Sequence, residues 1–153
     1  MKRSRPSRKP IRSMQARKVA GGYLLRLERG EEVREALTAF VAQRRIPCGL
    51  LQGIGAVRNV TLGYFDLRLK RYLTTRIAGT VEVVSLMGNI AYTEGVPYIH
   101  AHIMVAGPRH TVHGGHLFDA TVAITLEVYL KVIRGRLNRV NDPKMGFNFW
   151  DLS

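Results

Sequence analysis

The chain has 153 residues, of which 46% are hydrophobic and 8% aromatic, and its formal net charge at pH 7 is +13. This length fits one domain with a single core, and neither the roughly 20 apolar residues of a membrane span nor the apolar run of about 7 to 15 residues of a secretory signal is found. We therefore expect a cytoplasmic protein with no membrane partner, and its one cysteine, Cys48, excludes an internal disulfide.

The positive charge is concentrated in residues 1–18, which contain no acidic side chain and account for +8 of the +13. This segment lacks apolar periodicity and contains Pro6 and Pro10, so no buried surface would offset the entropy lost on ordering it. We predict a disordered basic arm over residues 1–18 and a folded domain over residues 19–153. The basic residues of the arm are Lys2, Arg3, Arg5, Arg8, Lys9, Arg12, Arg17 and Lys18.

A first strand is predicted after residue 18, where VAGGYLLRLERG alternates loosely and ends at a glycine. Residues 31–45 follow, with apolar positions recurring every three or four residues, acidic side chains at the start and arginines at the end. This pattern is typical of an α-helix. Ile46-Pro47 would end the helix, because the residue before a proline disfavours helical backbone.

From Pro47 onward the sequence consists of short segments rich in Val, Ile, Thr and Tyr, separated by glycine or proline. The segments predicted as strands are CGLLQGIGAV, RNVTLGYFD, KRYLTTRIA, GTVEVVSLMGNIA, PYIHAHIMVAG and TVAITLEVYLKVI. One helix with six or seven strands predicts an α+β fold with a mostly antiparallel sheet. A C-terminal tail from about residue 138 carries Phe147, Phe149 and Trp150, which we expect to pack onto the domain or onto a neighbouring subunit.

All five histidines lie within HAHIMVAGPRHTVHGGH, residues 100–116. Side chains alternate along a strand, so His100 and His102 share one face, with Cα atoms about 6.6 Å apart. The glycines of HGGH would let the chain turn tightly and bring His116 back beside that strand. Three neutral histidines with an open position are a known zinc arrangement. We therefore predict a site for a divalent metal, with zinc as the leading candidate, on His100, His102 and His116.

Other interpretations of the histidine run stay open. A His-x-His pair alone is more often the polar face of a half-exposed strand. We place His110 and His113 in the connection that begins at Gly107-Pro108, outside the metal site. Because imidazole must be deprotonated to bind a metal, the affinity is expected to fall steeply below about pH 6.5.

The sequence offers little support for catalysis. No carboxylate follows the His-x-His pair until Asp119, while Glu82 and Glu127 lie on other predicted strands. Ser85 lies in an apolar strand without the sharp turn of a nucleophile, and the glycines of GIGAV lack the third glycine and the helix of a dinucleotide site. We assign no catalytic residue. The alternative function is a metal-dependent enzyme or metal-binding sensor that uses the three histidines.

Three segments in this order, GIGAVRNVTLGYFD, GTVEVVSLMGNIA and HAHIMVAG…HGGHLFDATVAITLEVYL, resemble the plants-and-prokaryotes-conserved (PPC) domain over about residues 19 to 133. The resemblance implies an α+β subunit with one helix on an antiparallel sheet, a homotrimer, DNA binding in stand-alone prokaryotic members and protein interaction in plants. His100, His102 and His116 match the family's H-x-H…GGH positions, where the resemblance suggests that some members hold a metal. The connection GPRHTVHGG lacks the usual acidic, glycine-rich loop, and SRPSRKP lacks the RGRP core of an AT hook.

A flexible arm with eight cations would bind DNA phosphates by releasing counterions, without reading the bases. If about six of them reached phosphates, the slope of log affinity against log salt would be about −5. Three arms on a trimer would raise the effective concentration of these contacts. We therefore predict a DNA-binding protein with its arm on a trimeric scaffold. The arm could instead serve solubility, an acidic partner or nuclear import, and a protein-interaction module with neither activity is a third interpretation.

Overall fold

A computed structural model describes residues 13–153, and this range contains one α-helix and eight strands. In chain order they are β1 (Gln15–Val19), β2 (Gly22–Glu28), α1 (Val33–Arg44), β3 (Gly49–Asp66), β4 (Arg71–Thr93), β5 (Val96–Ala106), β6 (Val112–Val132), β7 (Asn138–Asp142) and β8 (Phe147–Asp151). The predicted α+β fold with a mostly antiparallel sheet is confirmed. No helix in the described range is long and apolar enough to span a membrane.

The folded body begins earlier than the sequence predicted. Strand β1 pairs antiparallel with β2 around Gly21, whose φ of +75° favours glycine. Arg17 and Lys18, which we assigned to a disordered arm, therefore lie on a strand. This strand is at the edge of the sheet and is held by backbone hydrogen bonds, so its side chains stay exposed and give no apolar signal. Residues 1–12, which carry the other cations of the arm, lie outside the described residues.

Four of the strands form a closed ring of pairings. β3 pairs with β4 and with β6, while β5 pairs with β4 and with the first residues of β6. β2 and β1 extend the sheet beyond β6, and the β7–β8 hairpin meets β4 at the bridge between Tyr92 and Asn138. The count of six or seven strands was wrong because β3 and β4 each continue through bulges that we interpreted as breaks, and because β1, β7 and β8 were missed.

The helix packs on one face of this sheet and forms the core with it. Its predicted range of 31–45 becomes Val33–Arg44, with the Glu32 side chain accepting a hydrogen bond from Glu35 N as the N-cap. The buried residues of α1 are Val33, Leu37, Phe40 and Val41. On β5 the odd-numbered residues from Ile99 to Val105 are buried in the same core. The even-numbered residues, among them His100 and His102, therefore point to the face away from the core.

Candidate metal centre

Three histidines meet on the face of the sheet that lies away from the core. His100 and His102 project from β5, and His116 of β6 lies directly opposite His102 in the register of the two strands. The ring centroids are 5.3 Å apart for His100 and His102, 5.2 Å for His100 and His116, and 5.6 Å for His102 and His116. One nitrogen from each ring lies within 4.8 Å of the other two. The structure thus brings together the three residues that the sequence singled out.

Gly114 and Gly115, which precede His116, do not form the tight turn that the sequence predicted. They lie inside β6, while the turn falls at residues 107–110, where His110 N donates to the Gly107 carbonyl at 2.9 Å. A Cβ on Gly115 would lie 2.8 Å from the Gly63 carbonyl oxygen. Glycine is therefore needed for the close approach of β6 to β3, and the prediction that it makes the turn was wrong.

The remaining histidines do not join the cluster. His110 lies in the turn, as predicted, with a φ of +59°. His113 was also predicted in this connection, but it lies on β6 opposite Val105. Because it is three residues from His116 along one strand, its side chain points to the opposite face.

Aromatic rings enclose His116, whose side chain is only 4% exposed. The centroid of its ring lies 5.0 Å from that of Tyr72 and 4.9 Å from that of Phe118. Gly63 on β3 leaves room for these rings, since a Cβ there would overlap the ring of Phe118 and lie 2.9 Å from Tyr72 Cδ1. Neither Tyr72 nor Phe118 could be identified from the sequence, because they lie on different strands, β4 and β6, that only the fold brings together.

The donor set fits a divalent metal ion. His116 Nδ1 is buried and has no hydrogen-bond partner among residues 13–153, and an unsatisfied buried polar atom costs about 1–3 kcal/mol. An ion between the three rings would give the imidazole an electrostatic partner. Three neutral imidazoles suit zinc and related ions, around which tetrahedral ligand nitrogens lie about 3.4 Å apart.

Burial keeps two of these histidines neutral. Desolvation lowers the pKa of His100 from its ordinary value of 6.5 to about 4, and the positive charge of Arg139 adds to the effect. Desolvation and then the neighbouring His100 lower the pKa of His116, also to about 4. Both rings therefore carry a free lone pair at neutral pH. If these two residues bind a metal, we expect their loss of metal affinity nearer pH 4 than pH 6.5.

A cavity of about 460 Å³ opens beside the three histidines. Its aromatic lining comes from the β3–β4 hairpin and the β7–β8 hairpin and consists of Tyr64, Phe65, Tyr72, Phe147 and Phe149. The C-terminal segment thus packs onto the domain, with the Phe147 ring 5.4 Å from that of Phe65. Of the described residues that line the cavity, none carries a carboxylate, so neither Glu82 nor Glu127 reaches it.

Two arginines that the sequence did not single out lie near the histidines, close enough to lower their pKa values. Arg34 on α1 donates from Nη1 to the Phe118 carbonyl at 3.0 Å. Arg139 on β7 is 8% exposed and donates from Nη2 to the Asn148 carbonyl at 2.7 Å. The centre therefore has two positive neighbours and no negative one among the groups that shift these pKa values.

The residues predicted to contact DNA are only partly described. Arg17 and Lys18 lie exposed on the edge strand β1, paired with Leu24 and Tyr23 of β2. Lys2, Arg3, Arg5, Arg8, Lys9 and Arg12 lie outside the described residues.

A family model described as the Plants and Prokaryotes Conserved (PCC) domain matches residues 14–134. Among curated proteins, 128 residues are 29% identical to the bifunctional protein GlmU of a Synechococcus strain, which covers 82% of this chain. The chain spans only 19% of the length of that relative.

Solved structures share the whole fold. A candidate DNA-binding protein from Bacteroides thetaiotaomicron is 28% identical, with a TM-score of 0.88 over 92% of this chain and 98% of that one. A candidate DNA-binding protein from Ralstonia eutropha JMP134 is 32% identical, with a TM-score of 0.85 over 90% and 96%. A protein from Archaeoglobus fulgidus described as metal-containing is 30% identical, with a TM-score of 0.78 over 90% and 96%.

Proposed function

Because the chain belongs to the Plants and Prokaryotes Conserved (PCC) domain family, we propose that it is a DNA-binding protein whose body holds one divalent metal ion, with zinc expected, on His100, His102 and His116. The family and the similar candidate DNA-binding proteins support the DNA-binding role. The observation that carries the proposed metal centre is the convergence of three histidines, one of which, His116, has a buried Nδ1 without a hydrogen-bond partner.

The DNA contacts are assigned to the basic N-terminal segment. Residues 1–18 carry eight cations without an acid, and such a segment binds phosphates without reading bases. The side chains of Arg17 and Lys18 are exposed on β1, so they could contact DNA phosphates next to those bound by the N-terminal segment. The Pro-flanked arginine at position 5 is suited to a narrow A·T-rich minor groove.

Neutralising the segment in the full chain tests this role while keeping β1 intact. Lys2, Arg3, Arg5, Arg8, Lys9 and Arg12 are all replaced by glutamine, and a labelled duplex is titrated at several salt concentrations. If all six bind phosphates, the slope of log affinity against log salt should become shallower by about five. The matched control neutralises Arg68, Arg71 and Arg76, which are exposed on or beside the β3–β4 hairpin. Equal affinity and slope in the native chain and the six-residue variant would remove the segment from DNA binding.

The metal centre is tested on protein purified without a histidine tag. We expect about one zinc ion per chain by elemental analysis, since the donor set matches a three-histidine zinc site. His102→Ala should abolish binding, whereas His113→Ala, a change on β6 at a residue that points away from the cluster, should leave it intact. Substoichiometric metal that is unchanged by His102→Ala would reject the centre.

A homotrimer is the proposed assembly, following the family resemblance. Exposed apolar side chains on the face of β2, β3 and β6 away from the helix support an interface there. They include Leu24, Leu50, Ile54 and Tyr129, which are 47%, 44%, 60% and 38% exposed. Light scattering should give three times the chain mass, and Ile54→Glu should reduce it. A monomeric native protein would contradict the assembly.

The alternative function, a metal-dependent enzyme or a metal-binding sensor, uses the same three histidines. With three protein ligands, a bound ion would supply a Lewis acid with an open coordination position. The described residues that line the cavity include no carboxylate to act as a general base. The cavity therefore favours the binding of a ligand, as in a sensor, over metal-assisted hydrolysis.

A further inference from the structure

We propose that the cavity beside His100, His102 and His116 binds a small organic monocarboxylate, with its carboxylate towards the metal centre and its apolar body against the aromatic rings. The inference rests on the metal centre proposed above and adds the chemical class of the ligand.

The size and lining of the cavity suit a small apolar body. Its volume of about 460 Å³ lies within the range of roughly 300 to 1,000 Å³ typical of small-molecule sites. The Phe65 ring packs against the rings of Tyr72 and Phe147, with centroids 5.2 and 5.4 Å away. These three side chains of the cavity lining are therefore held in place by one another. At the rim, Tyr64 is 70% and Phe149 43% exposed. Such rings offer a large apolar contact to a ligand at little cost in side-chain order.

The charge around the cavity calls for an anion. Arg139 does not line the cavity, but its positive charge is close enough to lower the pKa of His100 and His116, which do. It is 92% buried, its Nε has no hydrogen-bond partner, and its guanidinium lies 5.2 Å from the centre of the Tyr98 ring. Within residues 13–153 it forms no ion pair, since the pair found there joins Arg26 and Glu28 on the surface. Buried charges are normally paired. A divalent ion on three neutral histidines would add two further positive charges.

A carboxylate fits these features better than a phosphate does. Phosphate sites supply several hydrogen-bond donors, from helix N-termini, backbone amides or clusters of arginines. Here the lining beyond the histidines is mostly aromatic rings and glycines, with Leu67 and Met145. A ligand with one negative charge and an otherwise apolar structure would match a metal ion with one open coordination position beside an apolar cavity.

The test uses the full chain loaded with zinc, after its metal content has been measured. The probe is 3-phenylpropionate, compared by calorimetry with 3-phenylpropanol, which lacks the charge, and with propionate, which lacks the ring. A ligand of this size should bind with a roughly millimolar dissociation constant. Each comparison compound should bind at least about tenfold more weakly. In protein loaded with Co²⁺, 3-phenylpropionate should also change the visible spectrum as it enters the coordination shell.

The outcomes separate the inference from the proposal on which it rests. If one metal ion binds but 3-phenylpropionate does not, or the alcohol binds equally well, the inference is overturned and the metal centre stands. A cavity closed by a second copy of this chain would give that same absence of binding. If no metal binds, both fail, and the metal measurement alone reveals it.

Variants then locate the ligand. Phe149→Ala should weaken 3-phenylpropionate at least about fivefold, whereas Trp150→Ala, a change at a neighbouring residue of similar exposure that does not line the cavity, should leave affinity unchanged. Arg139→Gln keeps the side-chain length and removes the charge, and should weaken the carboxylate while leaving the alcohol unaffected. If Arg139→Gln fails to fold, Phe149→Ala decides. Unchanged affinity in Phe149→Ala would overturn the inference.

Discussion

Replacing His116 with phenylalanine should change stability in opposite directions with and without metal. In the metal-free protein the substitution removes a buried, unpartnered Nδ1 and keeps a ring packed against Tyr72 and Phe118. Removing an unsatisfied buried atom gains about 1–3 kcal/mol, and the larger ring costs about 1 kcal/mol in repacking. We expect the metal-free variant to be between equal to the native protein and about 2 kcal/mol more stable.

With zinc present, the native protein should instead be more stable than His116→Phe. An ion that binds only the folded chain stabilises it by about 2.7 kcal/mol when its free concentration is about 100 times the dissociation constant. The variant lacks one of the three ligands and should lose most of this gain. In zinc it should therefore be less stable than the native protein, by about 1 to 3 kcal/mol.

Denaturant unfolding measures both conditions, with a chelator in one series and excess zinc in the other. The matched control is His113→Phe, at a residue of the same strand that points away from the cluster, and it should show no difference between the two series. If His116→Phe is destabilised equally with and without zinc, His116 is a packing residue and the argument for the metal centre is refuted.

Two further predictions follow from the same cluster. Because the pKa values of His100 and His116 are lowered to about 4 from 6.5, the unfolded chain takes up protons first as the pH falls. These two groups should therefore lower the free energy of unfolding of the metal-free protein as the pH falls from 6.5 to 4, with no further loss from them below pH 4. The midpoint of urea unfolding, measured at several pH values, tests this. An equally large loss of stability over this pH range in His116→Phe would contradict it. Gly63→Ala should displace the packed rings, destabilise the fold by about 1–3 kcal/mol and weaken zinc binding. Gly107→Ala, with open space around its Cβ position, should be neutral by thermal unfolding, and equal effects of the two changes would refute the packing argument.

Much of the candidate metal centre could be predicted, because the positions of His100 and His102 follow from the two-residue period of a strand. Alternation alone places His100 and His102 on one face, and the crowding of all five histidines into residues 100–116 directs attention to His116. The prediction that Gly114 and Gly115 form a turn was wrong, because the sequence does not reveal that β6 passes close to β3 at this point. Distance along the chain also hid Tyr72 and Arg139, since only strand pairing brings them to the cluster.

The edges of the domain were predicted least well, and for one physical reason. Every side chain of β1 is exposed or only half-buried, and the β7–β8 hairpin meets the sheet at one bridge and through a few side chains such as Phe147. Apolar periodicity, on which the prediction depended, is weak in such strands. The helix and β5, whose periodicity is set by the core, were placed within a few residues, whereas β6 begins nine residues before its predicted start at residue 121.

The most direct test of the metal centre is anomalous diffraction at the zinc edge from crystals of untagged protein grown with zinc. We expect one strong peak per chain, bounded by His100, His102 and His116, with ligand nitrogens at about 2.0 to 2.1 Å. A peak at His110 or His113 alone, or no peak at the three-histidine cluster, would contradict it.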